Sequence, residues 1–227
     1  MKLPTRFEDL QQYEYDRAWA YQESLLQKIV SEKEKPAGKK LNYLLFCEHP
    51  HVFTLGKSGQ VSNLLINNAE LKKVNATFYK TNRGGDITYH GPGQIVGYPI
   101  IDLETAKIGI KKYVYLIEES IIRTMKYFGI ECERLDGATG VWVDSKISGK
   151  ARKICAIGIR ASHYVTMHGF ALNVNTDLKY FSYINPCGFT DKSVTSMQKE
   201  LGSEHSVELV KNQLKKNLSE QLNLEII

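Results

Sequence analysis

The densest group of residues suited to binding a ligand is the run Arg83-Gly84-Gly85-Asp86-Ile87-Thr88-Tyr89-His90-Gly91-Pro92-Gly93-Gln94. Two adjacent glycines beside an arginine let backbone amides approach a ligand closely, because no Cβ atom stands in the way. The run therefore suits an anion or a carbonyl oxygen. A glycine-rich hairpin turn with one surface arginine has the same composition and stays open as the alternative. A P-loop is excluded, since no Gly-Lys-Ser/Thr follows at the required spacing.

Three later segments also carry residues suited to chemistry: KICAIGIR (153–160), HGFALNVN (168–175) and INPCG (184–188). The first two mix strand-forming residues with a glycine, which leaves room against a strand for a long, thin substrate. In the third, Pro186 and Gly188 favour a loop around Cys187. Cys47 and Cys155 lie in apolar runs and are expected to be inert packing residues.

Composition limits the class of protein. The chain has 227 residues, of which 42% are hydrophobic and 24% charged, as in one globular domain. A net charge of +5 is too small to indicate nucleic-acid binding. The four cysteines contain no CxxC pair and indicate reduced thiols. No apolar run approaches the ~20 residues that cross a bilayer, and the N-terminus lacks a signal sequence. We therefore expect a cytoplasmic protein without a membrane segment.

Hydrophobic periodicity outlines the elements that must position these segments. We expect helices over residues 8–31, with Asp9 near the start, and over 111–128. Strands are expected over 41–47, 74–80, 94–103, 140–143, 154–160 and 164–174. A last helix has an apolar face of Val207, Val210, Leu214, Leu218 and Leu222. The order predicts a single α+β (mixed α/β) domain over residues 1–227, with a central, largely antiparallel sheet flanked by helices. Residues 193–227 are expected to form a small C-terminal helical portion.

At this point a family resemblance becomes specific. The segments EHPHVFTLG, RGGDITYHGPGQIVGY, KICAIGIR, HGFALNVN and INPCG resemble the successive motifs of the lipoyl(octanoyl) transferases, also called lipoate-protein ligase B. The resemblance runs in order from about Glu48 to Cys187, which is well over half the chain. It implies the α/β fold shared by lipoate and biotin protein ligases.

The resemblance implies an acyl transfer in two steps. Cys187 would attack the thioester of an octanoyl group carried on acyl carrier protein. The ε-amine of a lysine on a lipoyl domain or on the glycine-cleavage H protein would then take the octanoyl group as an amide. Lys153 matches the family's second catalytic residue and is thereby preferred over Lys150 and Arg152. An ammonium near Cys187 would favour the thiolate, which is the nucleophilic form.

The resemblance also implies an acyl pocket and no cofactor or metal. The small residues and exposed backbone of the matching segments suit an eight-carbon chain, whose burial at ~0.8 kcal/mol per CH2 permits selection by length. His90 and His168 are candidate proton carriers, with hydrogen bonding of the pocket wall as the alternative. His49 and His51 lack the further ligands that a zinc site needs. The predicted substrate-binding residues are Arg83, Gly84, Gly85, Asp86, Ile87, Thr88, Tyr89, His90, Ala156, Ile157, Gly158, Gly169, Phe170 and Ala171.

Two other functions compete with this prediction. An ATP-dependent lipoate or biotin ligase of the same fold would need phosphate-binding motifs of the GxGRxGR or SGGG kind, which the chain lacks, and no nucleophilic cysteine. A non-catalytic binding protein would keep the pocket without the chemistry. The presence of both Lys153 and Cys187 argues against it.

Overall fold

A computed structural model describes residues 2–33, 35, 41–185 and 193–227. The elements follow in the order β1 (Leu3–Gln12), α1 (Tyr15–Lys33), β2 (Asn42–Glu48), β3 (Val52–Leu55), α2 (Asn68–Lys73), β4 (Thr77–Lys80), β5 (Ile87–His90), β6 (Gln94–Ile100), α3 (Leu103–Ala106), α4 (Ile110–Tyr127), β7 (Glu133–Leu135), β8 (Ala138–Val143), β9 (Arg152–Ser162), β10 (Val165–Asn173), β11 (Ser193–Val194), α5 (Met197–Leu201), α6 (Val207–Gln221) and β12 (Leu224–Ile226). Short 3-10 helices span Val61–Asn63 and Leu178–Tyr183.

The main sheet has the strand order β12-β1-β2-β6-β10-β9-β8-β7, with β11 added beside β9. In the part of the sheet ordered β2-β6-β10-β9-β8-β7, each strand is antiparallel to its neighbours. Strand β1 is parallel to both β2 and β12, and β11 is parallel to β9. The predicted mixed α/β fold with a largely antiparallel central sheet is therefore confirmed.

Helices cover both faces of the main sheet. Alternate residues of β2 point to opposite faces: Leu44 and Phe46 join the core beneath α4 and α6, whereas Tyr43 and Leu45 join the core beneath α1. Every residue of β10 is buried, as expected for a strand that is covered on both sides. Among the described residues, none of the helices is long and apolar enough to cross a bilayer.

A second, smaller sheet has the order β4-β3-β5. Local periodicity does not predict β3 or β5, because strands of four residues are too short to show a clear period. Phe53 on β3 and Tyr89 on β5 are fully buried, and Ile184 packs into the same core cluster. This cluster attaches the small sheet to the chain that precedes Cys187.

The predicted helix over residues 8–31 is wrong at its start. Residues Leu3–Gln12 form a strand because their backbone pairs with β2 on one side and β12 on the other, contacts that local periodicity does not reveal. Asp9 lies in this strand and forms an ion pair with Lys211 of α6, with 3.0 Å between Oδ2 and Nζ. Helix α1 begins only at Tyr15.

Two predicted strands are shorter than expected. In residues 74–80 the strand begins at Thr77, because Val74 still caps the end of α2. In residues 94–103 it ends at Ile100, because the Asp102 side chain caps the N-terminus of α3 by accepting from the backbone N–H of Glu104. The other predicted strands and the helices α4 and α6 are found close to their expected positions.

Candidate active site

A cavity of about 670 Å³ is lined by residues from both sheets. Of the predicted substrate-binding residues, twelve border it: Arg83, Gly85, Asp86, Ile87, Thr88, His90, Ala156, Ile157, Gly158, Gly169, Phe170 and Ala171. Lys153 borders it too. Tertiary structure thus brings together residues from three segments that are far apart in sequence.

The pairing of β9 with β10 explains why two of these segments form one wall. In the antiparallel register Ala156 lies opposite Ala171, and Gly158 opposite Gly169. The loop 83–85 then lies directly on β9, because the backbone N–H of Gly84 donates to the carbonyl of Ile159 at 3.0 Å. A Cβ on Gly158 would stand only 2.8 Å from the Gly84 carbonyl oxygen, so this close approach requires glycine.

Gly84 and Tyr89 do not border the cavity. The Gly84 backbone is used in the contact with β9. The Tyr89 side chain is fully buried on the other side of β5, where its ring stacks on Tyr180 at 4.8 Å and its hydroxyl lies 2.7 Å from His51 Nδ1. Because side chains alternate between the two faces of a strand, Tyr89 points away from the cavity that Thr88 and His90 face.

Arg83 is a buried structural residue as well as a wall of the cavity. It is only 8% exposed, which excludes the alternative of a surface arginine on a hairpin turn. Its Nη2 donates to the carbonyl of Thr54 at 2.5 Å, and its Nε donates to the Thr54 hydroxyl at 3.2 Å. The guanidinium thereby attaches the loop 83–85 to β3.

His90 and His168 are buried and neutral. Burial lowers the pKa of His90 to about 3, with the nearby His49 and Arg83 adding to the effect. Burial likewise lowers the pKa of His168 to about 3, helped by Arg83. His168 Nε2 lies 2.7 Å from Asn82 Oδ1, and its backbone has a φ of 58° within a strand, a strained conformation for a residue with a Cβ.

His49 is held between two hydrogen-bond partners. Its Nδ1 lies 2.5 Å from the carbonyl oxygen of Tyr13, and its Nε2 lies 2.7 Å from the hydroxyl of Tyr98. Both ring nitrogens are thus engaged in hydrogen bonds. Burial lowers the pKa of His49 to about 4, so the ring is neutral.

Lys153 differs from its two basic neighbours in its surroundings. Arg152 is held by the carboxylates of Glu200 and Asp144, at 2.6 Å and 2.5 Å. Lys150 is exposed and does not border the cavity. The half-buried Lys153 places its Nζ 4.6 Å from the centre of the Trp142 ring, at the cavity wall. Geometry alone therefore distinguishes the three.

Cys187 lies outside the described residues. The described residues that flank it along the chain, Asn185 and Ser193, both border the cavity. Asn185 is held by a hydrogen bond from its backbone N–H to the Asn63 carbonyl at 2.8 Å, and Ser193 pairs with Arg152 of β9.

Several residues of the cavity wall are not among the residues predicted from the sequence. Gln94 and Asn173 stand in the quoted motifs, and an amide side chain within a predicted apolar strand was a usable signal. Tyr15, Tyr98 and Trp142 also border the cavity. Tyr98 ends the motif RGGDITYHGPGQIVGY and lies on the same face of β6 as Gln94, whereas Tyr15 and Trp142 belong to α1 and β8, outside the motifs.

Comparison with known proteins bears on this site. Residues 14–219 match the family described as lipoyl protein ligase A/B catalytic domain. An octanoyltransferase of Parabacteroides distasonis is 54% identical over 211 residues, covering 92% of this chain and 95% of that protein. An octanoyltransferase of Flavobacterium johnsoniae is 53% identical over 233 residues and covers both chains completely.

Solved structures agree on the fold. A bi-partite lipoate protein ligase from Thermoplasma acidophilum, described together with its E2 lipoyl domain, superimposes with a TM-score of 0.70 at 17% identity. The match covers 99% of this chain and 86% of that chain. At this identity the likeness concerns the fold alone, whereas the relatives at more than half identity define the group. The chain belongs to the lipoyl protein ligase A/B catalytic domain family, and within that family to the octanoyltransferases.

Proposed function

We propose that this protein transfers an octanoyl group from octanoyl-acyl carrier protein to a specific lysine of lipoyl domains and of the glycine-cleavage H protein, as the first step of their lipoylation. The observation that carries the proposal is the cavity of about 670 Å³, which joins Lys153 to the predicted acyl-binding segments. Its volume lies in the range of small-molecule sites. Apolar groups of Val96, Ile157, Phe170 and Ala171 on its wall suit an alkyl chain.

In the first step the Cys187 thiolate attacks the carbonyl carbon of the donor thioester. The tetrahedral intermediate collapses, the carrier protein's sulfur leaves as a thiolate, and the octanoyl group remains on Cys187 as a new thioester. Cys187 is two positions along the chain from Asn185, which borders the cavity.

In the second step the neutral ε-amine of the acceptor lysine attacks the Cys187 thioester. The carbon–nitrogen bond forms, the carbon–sulfur bond breaks, and the amine loses one proton. We assign this proton to Lys153, which reaches the cavity wall: its ammonium protonates the departing carrier thiolate in the first step, and the resulting neutral amine accepts the proton of the acceptor lysine in the second. Thioester exchange in the first step is nearly balanced, whereas amide formation drives the second step forward.

The two protein substrates suggest a use for the positive charge of the chain. Acyl carrier proteins and lipoyl domains are typically acidic, and this chain has a net charge of +5. The exposed Lys199 stands beside the cavity. We propose that such groups steer both substrates toward the site, so the rate of transfer should fall as salt is added. A thiol nucleophile also needs a reducing compartment, which favours the cytoplasm.

One experiment tests nucleophile, donor and reaction class together. The protein is mixed with octanoyl-acyl carrier protein without acceptor and without ATP, and its peptides are analysed by mass spectrometry. We expect an octanoyl adduct on the peptide that contains Cys187, and loss of the adduct in Cys187→Ala. Cys132→Ala is the matched control, since Cys132 does not border the cavity. An adduct on another residue, or a requirement for ATP as in a ligase, would refute the proposal.

A further inference from the structure

A continuous series of buried hydrogen bonds connects the small sheet to the main sheet along the cavity wall. It begins at Arg83, whose Nη2 donates to the Thr54 hydroxyl oxygen at 3.0 Å. That oxygen lies 3.4 Å from His90 Nε2, and His90 Nδ1 lies 2.8 Å from Gln94 Oε1. Arg83, His90 and Gln94 border the cavity, and Thr54 is fully buried behind them.

The series continues within the main sheet. Gln94 Nε2 donates to Asn173 Oδ1 at 2.8 Å, and Asn173 Nδ2 donates to the carbonyl oxygen of Thr195 at 2.9 Å. Gln94 and Asn173 are register partners on β6 and β10, so the two amides face each other across neighbouring strands. They are 1% and 4% exposed, and Thr195 is fully buried.

The hydrogen bonds run in one direction. Gln94 Nε2 donates both to Asn173 and to the carbonyl of Tyr89, which leaves Oε1 as the acceptor that faces His90. His90 must then carry its proton on Nδ1, and its Nε2 accepts from the Thr54 hydroxyl. A neutral ring can do this, whereas a doubly protonated ring cannot. The geometry therefore assigns His90 one tautomer.

The far end of the series reaches the backbone of Lys153. The backbone N–H of Thr195 donates to the carbonyl of Lys153 at 3.0 Å, and Val194 is the register partner of Lys153 in the parallel pair of β11 and β9. Strand β11 is the first described element after the segment that contains Cys187. The amides thus anchor the chain that follows Cys187 beside the backbone of Lys153.

We propose that Gln94 and Asn173 are positioning residues, which hold Thr195 and the Lys153 backbone at a set distance from the loop 83–85. The inference rests on the proposed function, because it concerns the alignment of Lys153 with the acyl group on Cys187. A misplacement of about 1 Å can cost about 100-fold in rate even when no catalytic group is removed. Loss of either amide should therefore reduce turnover without weakening substrate binding.

The test compares Asn173→Ala and Gln94→Ala with Asn42→Ala. Asn42 is a matched control: it is 1% exposed on β2 of the same sheet, its Oδ1 accepts from the Asp102 backbone at 2.8 Å, and it does not border the cavity. We expect kcat for octanoyl transfer to fall about 10- to 100-fold in the first two variants, with KM for the donor changed less than about twofold. Asn42→Ala should melt at a lower temperature and keep its kcat. Equal losses of kcat in all three variants would overturn the proposal.

Asn173→Asp tests the hydrogen bond that the Asn173 amide donates to the Thr195 carbonyl. The carboxylate keeps the size of the side chain and accepts from Gln94, but it cannot donate to the Thr195 carbonyl. We expect a kcat as low as that of Asn173→Ala, and a wild-type kcat would overturn the inference. This variant also carries the test if Asn173→Ala does not fold.

Nitrogen NMR of the wild-type imidazoles gives a readout that is independent of catalysis. We expect His90 as the neutral tautomer with the proton on Nδ1, and the other tautomer would overturn the inference. A wild-type protein that transfers no octanoyl group would refute the proposed function. The tautomer of His90 would still decide whether the directed series exists.

Discussion

The Nζ atom of Lys153 lies 4.6 Å from the centre of the Trp142 indole ring. The ring is itself held in place, because Trp142 is 2% exposed and its Nε1 donates to the Ala138 carbonyl at 3.0 Å. Trp142 and Lys153 are also register partners on β8 and β9. The negative face of an indole attracts an ammonium group, so Trp142 holds Lys153 at the cavity wall.

Replacing Trp142 should therefore affect transfer through Lys153. A desolvated cation–π contact contributes up to about 2 kcal/mol, which corresponds to a loss of up to about 30-fold. We expect Trp142→Leu to lower the rate of octanoyl transfer about 5- to 30-fold, and Trp142→Phe to lower it less because a ring remains. Single-turnover kinetics below the melting temperature of both variants measure the difference. Equal rates in Leu and Phe variants would show that the ring face has no such role.

The cavity wall at Ala156 should control acyl-chain length. Ala156 and Ala171 face each other on β9 and β10, and both border the cavity. Ala156→Leu adds three carbon atoms to the wall, so we expect the preferred donor to change from octanoyl to a shorter acyl group, at about 0.8 kcal/mol per CH2 displaced. Competition among hexanoyl, octanoyl and decanoyl carrier proteins measures the preference. Ala161→Leu is the control, since Ala161 is exposed on the same strand away from the cavity.

Acid should destabilise the fold through three buried histidines. Burial lowers the pKa of His90 and His168 to about 3 and that of His49 to about 4. An unfolded chain binds these protons near pH 6.5, so the contribution to stability is complete above about pH 6.5 and is lost as the pH falls to about 4 for His49 and to about 3 for His90 and His168. At about pH 5, each of these histidines should lower the free energy of unfolding by roughly 2 kcal/mol.

Urea titrations between about pH 7 and pH 5 measure this loss. His49→Gln removes one of the three protonations, so its free energy of unfolding should fall less steeply with acid than that of the wild type. His163→Gln, at an exposed position between β9 and β10, is the control. An unchanged slope in His49→Gln would contradict the prediction.

Alkylation should distinguish Cys187 from the other three cysteines by its reactivity. Burial raises the pKa of Cys132 to about 12 and that of Cys47 and Cys155 well above the ordinary range of a thiol. Since iodoacetamide reacts with thiolates, we expect labelling of the folded protein at about pH 7.5 to occur at Cys187 alone. Peptide mass spectrometry before and after unfolding in urea, where all four thiols become accessible, measures this. Fast labelling of Cys132 in the folded protein would contradict the expectation.

The sequence by itself determined the elements with strong periodicity and the segments with unusual composition. The apolar positions Ile117, Ile121 and Met125 mark α4, and Val210, Leu214 and Leu218 mark α6, because the residues that a helix buries recur every three or four positions. The motif segments could likewise be read directly, since glycine beside charged or nucleophilic residues is a local signal.

Only the tertiary structure decided how these parts meet. Strand β1 has no local pattern of its own and exists because β2 and β12 pair with it. The same is true of the small sheet, of the orientation of Tyr89 away from the cavity, and of the series from Arg83 to Thr195. Each depends on partners distant in sequence, and hydrogen-bond geometry across strands cannot be read from the residues on one of them.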